Sequence, residues 1–177
     1  MTASNRVEQR ALLLREAFDR SFAEGADAER ASHLDFLAIR VAGDPYALRL
    51  SEVQSLHADR RLVSAPSRLP ELLGISGFRG VLTPVYDLAP LLGYGAEPGA
   101  RWLVVAQSDS PIGFAFGDFD EHLRVTADRV SAPDSDARVA VRGGVRRGVA
   151  ALPLIHLPSL VEAIAQRIKA LGPSQEG

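Results

Sequence analysis

Two hydrophobic periods divide this chain. Over residues 5–23, Val7, Ala11, Leu14, Phe18 and Phe22 recur at three- and four-residue spacing, while Arg6, Glu8, Arg10, Arg15 and Glu16 fill the other side. That spacing predicts an amphipathic helix, closed by Gly25 and the linker Ala26-Asp27-Ala28. Its apolar stripe suits either the protein's own core or a partner helix. From Leu34 the period becomes two. Phe36, Ala38 or Ile39, and Val41 lead to the turn Gly43-Asp44-Pro45, after which Tyr46, Leu48 and Leu50 alternate with Ala47, Arg49 and Ser51. That punctuation predicts a β-hairpin.

Residues 52–56 continue extended or in a short bend, and 60–63 run to a break at Pro66-Ser67. Pro70 opens a short helical turn over residues 71–73. Residues 72–88 then read as an apolar strand, an Arg79-Gly80 turn, a second strand stopped by Pro84, and a helix beginning near Asp87. Asp87 is a good N-cap for residues 88–92, which end at Gly93. Further strands are expected at 102–106, 112–116, 139–141 and 149–154, with a polar loop at 95–99. A carboxy-terminal helix occupies about 159–171, with Leu160, Ile164, Ile168 and Leu171 on one face. Eight to ten short strands without a helix–strand rhythm indicate antiparallel barrels or a sandwich.

Composition narrows the field. The 177 residues suffice for one domain with a proper core, and a net charge of -2 argues against a general binder of nucleic acid or anionic membrane. With no cysteine there is no disulfide framework, thiolate nucleophile or Cys-based zinc site. The amino terminus lacks the apolar core of a signal peptide, and no apolar run could span a bilayer, so a cytoplasmic protein without membrane insertion is expected.

Candidate chemistry is thin. His33, His57, His122 and His156 form no metal-ligand spacing, so no metal and no cofactor are expected. Asp118, Asp120, Glu121 and His122 read as a solvated loop rather than paired catalytic carboxylates. The basic segment from Arg142 to Gly148 reads as a hairpin turn with solvated arginines. There is neither a Gly-x-Ser-x-Gly elbow nor a phosphate loop. No catalytic residue can be named, and an enzyme is not expected.

On the central hairpin the chain resembles the CheW-like family of chemotaxis coupling proteins. Leu72, Gly74, Ile75, Arg79, Gly80, Pro84, Val85, Asp87 and Leu88 fall on the family's pattern in register, with Gly77 where Asn is usual. Residues 36–41, 46–48 and 52–53 match the opening hairpin, and residues 112–116 and 152–160 match later segments, His156 standing in place of an acid. The resemblance implies a mainly β fold of two five-stranded SH3-like barrels, with an added N-terminal helix and a C-terminal helix. It divides the chain into a helix and linker (1–33), the CheW-like domain (34–171) and a tail (172–177). It implies a non-enzymatic scaffold binding a histidine kinase regulatory domain and the cytoplasmic tip of a chemoreceptor, the latter in a groove between the barrels. Val53, Ser55, Leu56, Arg79 and Gly80 fall on positions bordering that groove, and Ser55 stands where an acid is common. For Arg79 a structural role, clamping its hairpin to the neighbouring barrel, stays open, and for Val53 and Leu56 plain core packing does. The alternative function is a small-barrel nucleic-acid-binding protein, which would need exposed stacking aromatics.

Overall fold

The computed structural model describes residues 33–132 and 140–172, and the expected helix at 5–23 lies outside them. The chain divides into the units Met1–Leu34 and Asp35–Gly177, the second holding all but the first two of the described residues. Strands β1 (His33–Val41) and β2 (Asp44–Arg49) pair antiparallel, closed by Val41 opposite Asp44. The turn is Ala42-Gly43, both at positive φ (52° and 86°), one residue earlier than the Gly-Asp-Pro punctuation suggests. Two left-handed residues match the twist of a tight hairpin, so Asp44 and Pro45 are free to begin β2.

A 3-10 turn over Leu50–Glu52 carries the chain into a second sheet, starting with β3 (Val53–Ala58). Next come β4 (Leu72–Phe78), β5 (Val81–Asp87), the short helix α1 (Leu88–Leu91), β6 (Trp102–Ala106) and β7 (Gly113–Phe116). Gly117 returns the chain to the first sheet as β8 (Asp118–Thr126), succeeded by β9 (Val130–Ser131), β10 (Val141–Arg147), β11 (Ala150–Ile155) and helix α2 (Leu157–Ala170). The sheets have the orders β8-β1-β2-β11-β10-β9 and β3-β6-β7-β5-β4.

The fold is mainly β in two sheets, as the resemblance implies. It differs from two closed five-stranded barrels in two respects. The two-residue β9 makes the first sheet six-stranded, and neither ladder closes on itself. In the second sheet the connection from β3 to β4 contributes a single bridge, Val63 to Ile75, where a closing strand would stand.

Four expectations fail for local reasons, the first being the turn read over Arg142 to Gly148: residues 142–147 belong to β10 and the chain turns only at Gly148-Val149. Residues 69–72 form a turn closed by Leu72 N–H donating to Leu69 O (3.1 Å), so Leu72 and Leu73 belong to β4 rather than to a helical turn. Pro84 lies inside β5 opposite Ile75. Ile75 exchanges both its backbone bonds with Val63 (2.8 Å each), so it turns its polar groups away from β5 and asks nothing of Pro84. The acidic stretch after Gly117 is a nine-residue strand rather than a loop, its solvent side carrying Asp118, Asp120, His122 and Arg124. Glu121 occupies an inward position among Phe119, Leu123 and Val125 and is ion-paired with Arg147, which hid the alternation.

The main core lies between the sheets, where Ile39, Leu48, Val104, Phe114 and Phe116 meet Leu157, Leu160 and Ile164 of α2. A smaller cluster of Phe78, Val85, Leu103, Val105 and Ala115 fills the other face of the five-stranded sheet. Strand β6 is thus buried on both faces, which explains its uninterrupted apolar run. Glu52 joins the parts. Its backbone carbonyl accepts from Gln107 N–H (2.8 Å), and its carboxylate accepts from Leu157 N–H (3.0 Å) at the start of α2. His156 caps that helix by accepting from Ser159 N–H through Nδ1.

Asp87 is 2% exposed and accepts from Ala89 N–H (3.1 Å) and Glu97 N–H (3.0 Å), capping α1 and pinning the loop beyond it. Asp87→Ala strands both donors, so urea denaturation should show a loss of about 2–4 kcal/mol. Asp87→Asn keeps one acceptor oxygen and should fall between. Equal stability of the alanine variant would show that the cap adds nothing to the fold.

Candidate functional site

The β4–β5 hairpin ends in Arg79 and Gly80, both left-handed (φ 49° and 82°) between the paired Phe78 and Val81. A glycine suits such a turn. An arginine does not, since its Cβ crowds the backbone at a cost of about 1–2 kcal/mol. Arg79 is exposed, and its side chain makes no hydrogen bond or ion pair with any described residue, so it does not clamp the hairpin to another part of the fold.

Beside this tip opens a groove of about 380 Å³. Ser55 and His57 come from β3, Phe78, Arg79 and Val81 from the hairpin, and Ser108 and Asp109 from the β6–β7 turn. Period two along β3 puts Ser55 and His57 on one face, where His57 Nε2 and Ser55 Oγ are 2.9 Å apart. The imidazole stacks at a tilt on Phe78, with ring centres 4.7 Å apart. The Arg60 guanidinium lies 5.3 Å from the centre of the same ring.

Arg60 is held there from both sides. Arg101 forks the Asp59 carboxylate (2.9 Å to each oxygen), which holds that carboxyl below its ordinary range, and Asp59 N–H donates to Arg101 O (2.8 Å). On the other side Ser76 Oγ donates to Arg61 O (3.1 Å), and Val63 bonds Ile75. The far wall is braced by Gln107 N–H on Glu52 O and by Ala106 N–H on Ile112 O (2.9 Å). The result is a groove with an aromatic floor and two guanidiniums lacking any carboxylate partner among the described residues. The His57 imidazole is held below its ordinary value, first by partial burial and then by the charges of Arg60 and Arg79. It therefore stays neutral near pH 7.

Of the expected residues, the groove gathers Ser55 and Arg79, with Gly80 at its rim. Val53 and Leu56 go elsewhere: half-buried, they pack against the main core between the sheets. The groove lies within the five-stranded sheet and its loops, not between the two sheets. Sequence reasoning missed His57, Arg60, Phe78 and Asp109. A strand over residues 53–58 would have put His57 beside Ser55, but Arg60 and Asp109 arrive from separate loops and leave no sequence signal. A wider groove of about 560 Å³, lined by Leu69, Tyr86, Ile168 and Leu171 among others, contains none of the expected residues.

Residues 35–165 match the family model of the CheW-like domain. The chain belongs to the CheW-like domain family. Every residue of the groove falls inside the CheW-like segment. The chain is also 26% identical over 102 residues to the chemotaxis protein CheW of Bacillus subtilis (strain 168), a match covering 55% of this chain and 65% of that relative. It thus spans just under two thirds of that relative's length. Its fold is similar to the crystal structure of the scaffolding protein TtCheW from Thermoanaerobacter tengcongensis, with a TM-score of 0.64 and 17% identity. That likeness covers 70% of this chain and 88% of the other.

The described CheW-like residues contain no helix long and apolar enough to cross a membrane. They bring together no group of three His, Asp or Glu side chains suited to a metal. Their aromatic rings are buried or half-buried.

The turn geometry separates stability from use. Arg79→Asn places a residue that tolerates the left-handed region in the turn, and thermal or urea unfolding should show a gain of about 1 kcal/mol. Gly80→Ala, whose new Cβ meets nothing within 4 Å, should lose about 1 kcal/mol from φ alone. A destabilised Arg79→Asn protein would mean that the arginine supports the fold.

Proposed function

We propose that this protein is a non-enzymatic scaffold that couples chemoreceptors to a histidine kinase in chemotaxis or a related motility pathway. The observation that carries the reading is the match of residues 35–165 to the CheW-like domain, a family of scaffolds. The geometry supports it. The groove presents side chains that bind: Ser55 Oγ lies 2.9 Å from His57 Nε2, but no carboxylate among the described residues bonds the imidazole to orient it as a general base. Arg79 stands in a strained turn with its guanidinium unpaired, an arrangement that costs stability and suits a partner's carboxylate or carbonyl oxygens. In this reading Ser55, Arg79 and Gly80 border the receptor contact. Val53 and Leu56 support β3 from beneath. The kinase regulatory domain takes a separate surface, leaving the groove to the receptor's helical hairpin.

The test is reconstitution with a chemoreceptor and a CheA-type histidine kinase from the organism that makes this chain. The wild-type protein should bind the kinase regulatory domain and the receptor's cytoplasmic hairpin, and should recruit kinase to receptor-bearing membranes. Arg79→Glu should keep its circular dichroism yet bind the receptor hairpin at least about tenfold more weakly, as expected when a buried charge contact becomes repulsive. Unchanged affinity would remove Arg79 from the interface. Failure of the wild type to bind either partner would defeat the scaffold reading.

A further inference from the structure

We infer that the groove beside the β4–β5 tip accepts an acidic side chain of the docked segment between Arg60 and Arg79, with His57 as a proton-linked third donor. Docking therefore tightens as pH falls. The inference rests on the scaffold reading for the identity of the docked segment and deepens it by assigning the chemistry recognised.

Charge complementarity chooses the occupant. Arg60 and Arg79 both line the groove, and neither has a carboxylate partner among the described residues. The nearby carboxylate of Asp59 is already engaged by Arg101. Asp109 is the only acid among the lining residues and forms no ion pair with either guanidinium. Ser55 offers a hydroxyl rather than a charge. Two unanswered cations over an aromatic floor suit a carboxylate on an apolar helix surface.

His57 couples this site to pH through its neighbours. Phe78 covers one side of the ring and Ser55 bonds Nε2. Arg60 of the β3–β4 loop and Arg79 of the hairpin turn bear on it as positive charges, and Asp109 stands in the β6–β7 wall of the same groove. The imidazole's neighbouring residues on β6 are apolar: Leu103 is paired with it, and Val105 lines the groove. With the groove empty, burial and the two arginines keep the ring neutral, its pKa below the ordinary value. A carboxylate seated between the arginines offsets their charge and favours the imidazolium, so docking takes up a proton. Affinity then rises as pH falls from the docked-state pKa toward the lower free-state one, and the gain is complete below the latter. The carboxylate stays ionised throughout that window.

The experiment uses the full chain and the cytoplasmic hairpin fragment of a chemoreceptor from the same organism, titrated calorimetrically at about pH 6 and about pH 8. Binding should be about fivefold tighter at the lower pH, a one-unit rise in one imidazole capping the effect at about tenfold. His57→Gln, which can still bond Ser55, should abolish the pH dependence. A fragment with its tip acids changed to amides should bind more weakly and without pH dependence. NMR titration of the wild-type His57 ring gives a second readout that needs no variant: its pKa should move up when the fragment is added. Binding that is indifferent to pH and to the amide changes, a His57→Gln protein that keeps the pH slope, or an unmoved His57 pKa would overturn this inference and leave the scaffold reading standing. No binding at either pH would end both.

Discussion

The central strands of the five-stranded sheet, β6 and β7, are buried on both faces, and the groove lies where that burial ends. Val104, Ala106 and Phe114 face the main core, while Leu103, Val105 and Ala115 face the smaller cluster behind it. The cover thins toward the rim, where the hairpin tip, β3 and the β6–β7 turn come together, and the groove opens there with Phe78 and Val105 of the smaller cluster among its lining residues. Burying one aliphatic side chain contributes about 1.5–3 kcal/mol, so this frame is far stiffer than the turn it carries.

Stiffness is what a docking site needs, because side chains already in place lose little freedom on binding. Here the preorganisation is visible bond by bond: Asp59 with Arg101, Val63 with Ile75 and Ser76 with Arg61 fix the loop that sets Arg60 over Phe78. Glu52 extends the brace. It sits at the crossing between the sheets, holds the β6–β7 turn by its backbone carbonyl and holds α2 by its carboxylate. A change at that joint would reach the groove wall and the main core together.

Local signals survived translation into structure where they did not depend on distant residues. The β4–β5 hairpin, the Asp87 cap and the C-terminal helix were legible because turn residues, caps and a 3.6-residue stripe act within a few positions. Pro84 misled because its place in β5 depends on Val63 engaging Ile75 from outside the hairpin. β8 was hidden by Glu121, an inward acid answered by Arg147 from another strand. The site was legible only in part. Arg79, Gly80, Ser55, Val53 and Leu56 all fall on positions to which the resemblance points, yet Val53 and Leu56 pack against the core. Arg60, Phe78 and Asp109 meet through tertiary structure alone.

If the rim of the five-stranded sheet is where this protein meets its receptor partner, NMR of the full chain should register it residue by residue. On addition of the receptor hairpin, the largest backbone and side-chain shift changes are expected at Ser55, His57, Phe78, Arg79 and Asp109, with β9 and β10 unmoved. Changes concentrated on the six-stranded sheet, with those five residues silent, would place the receptor contact elsewhere and refute the rim as the docking site.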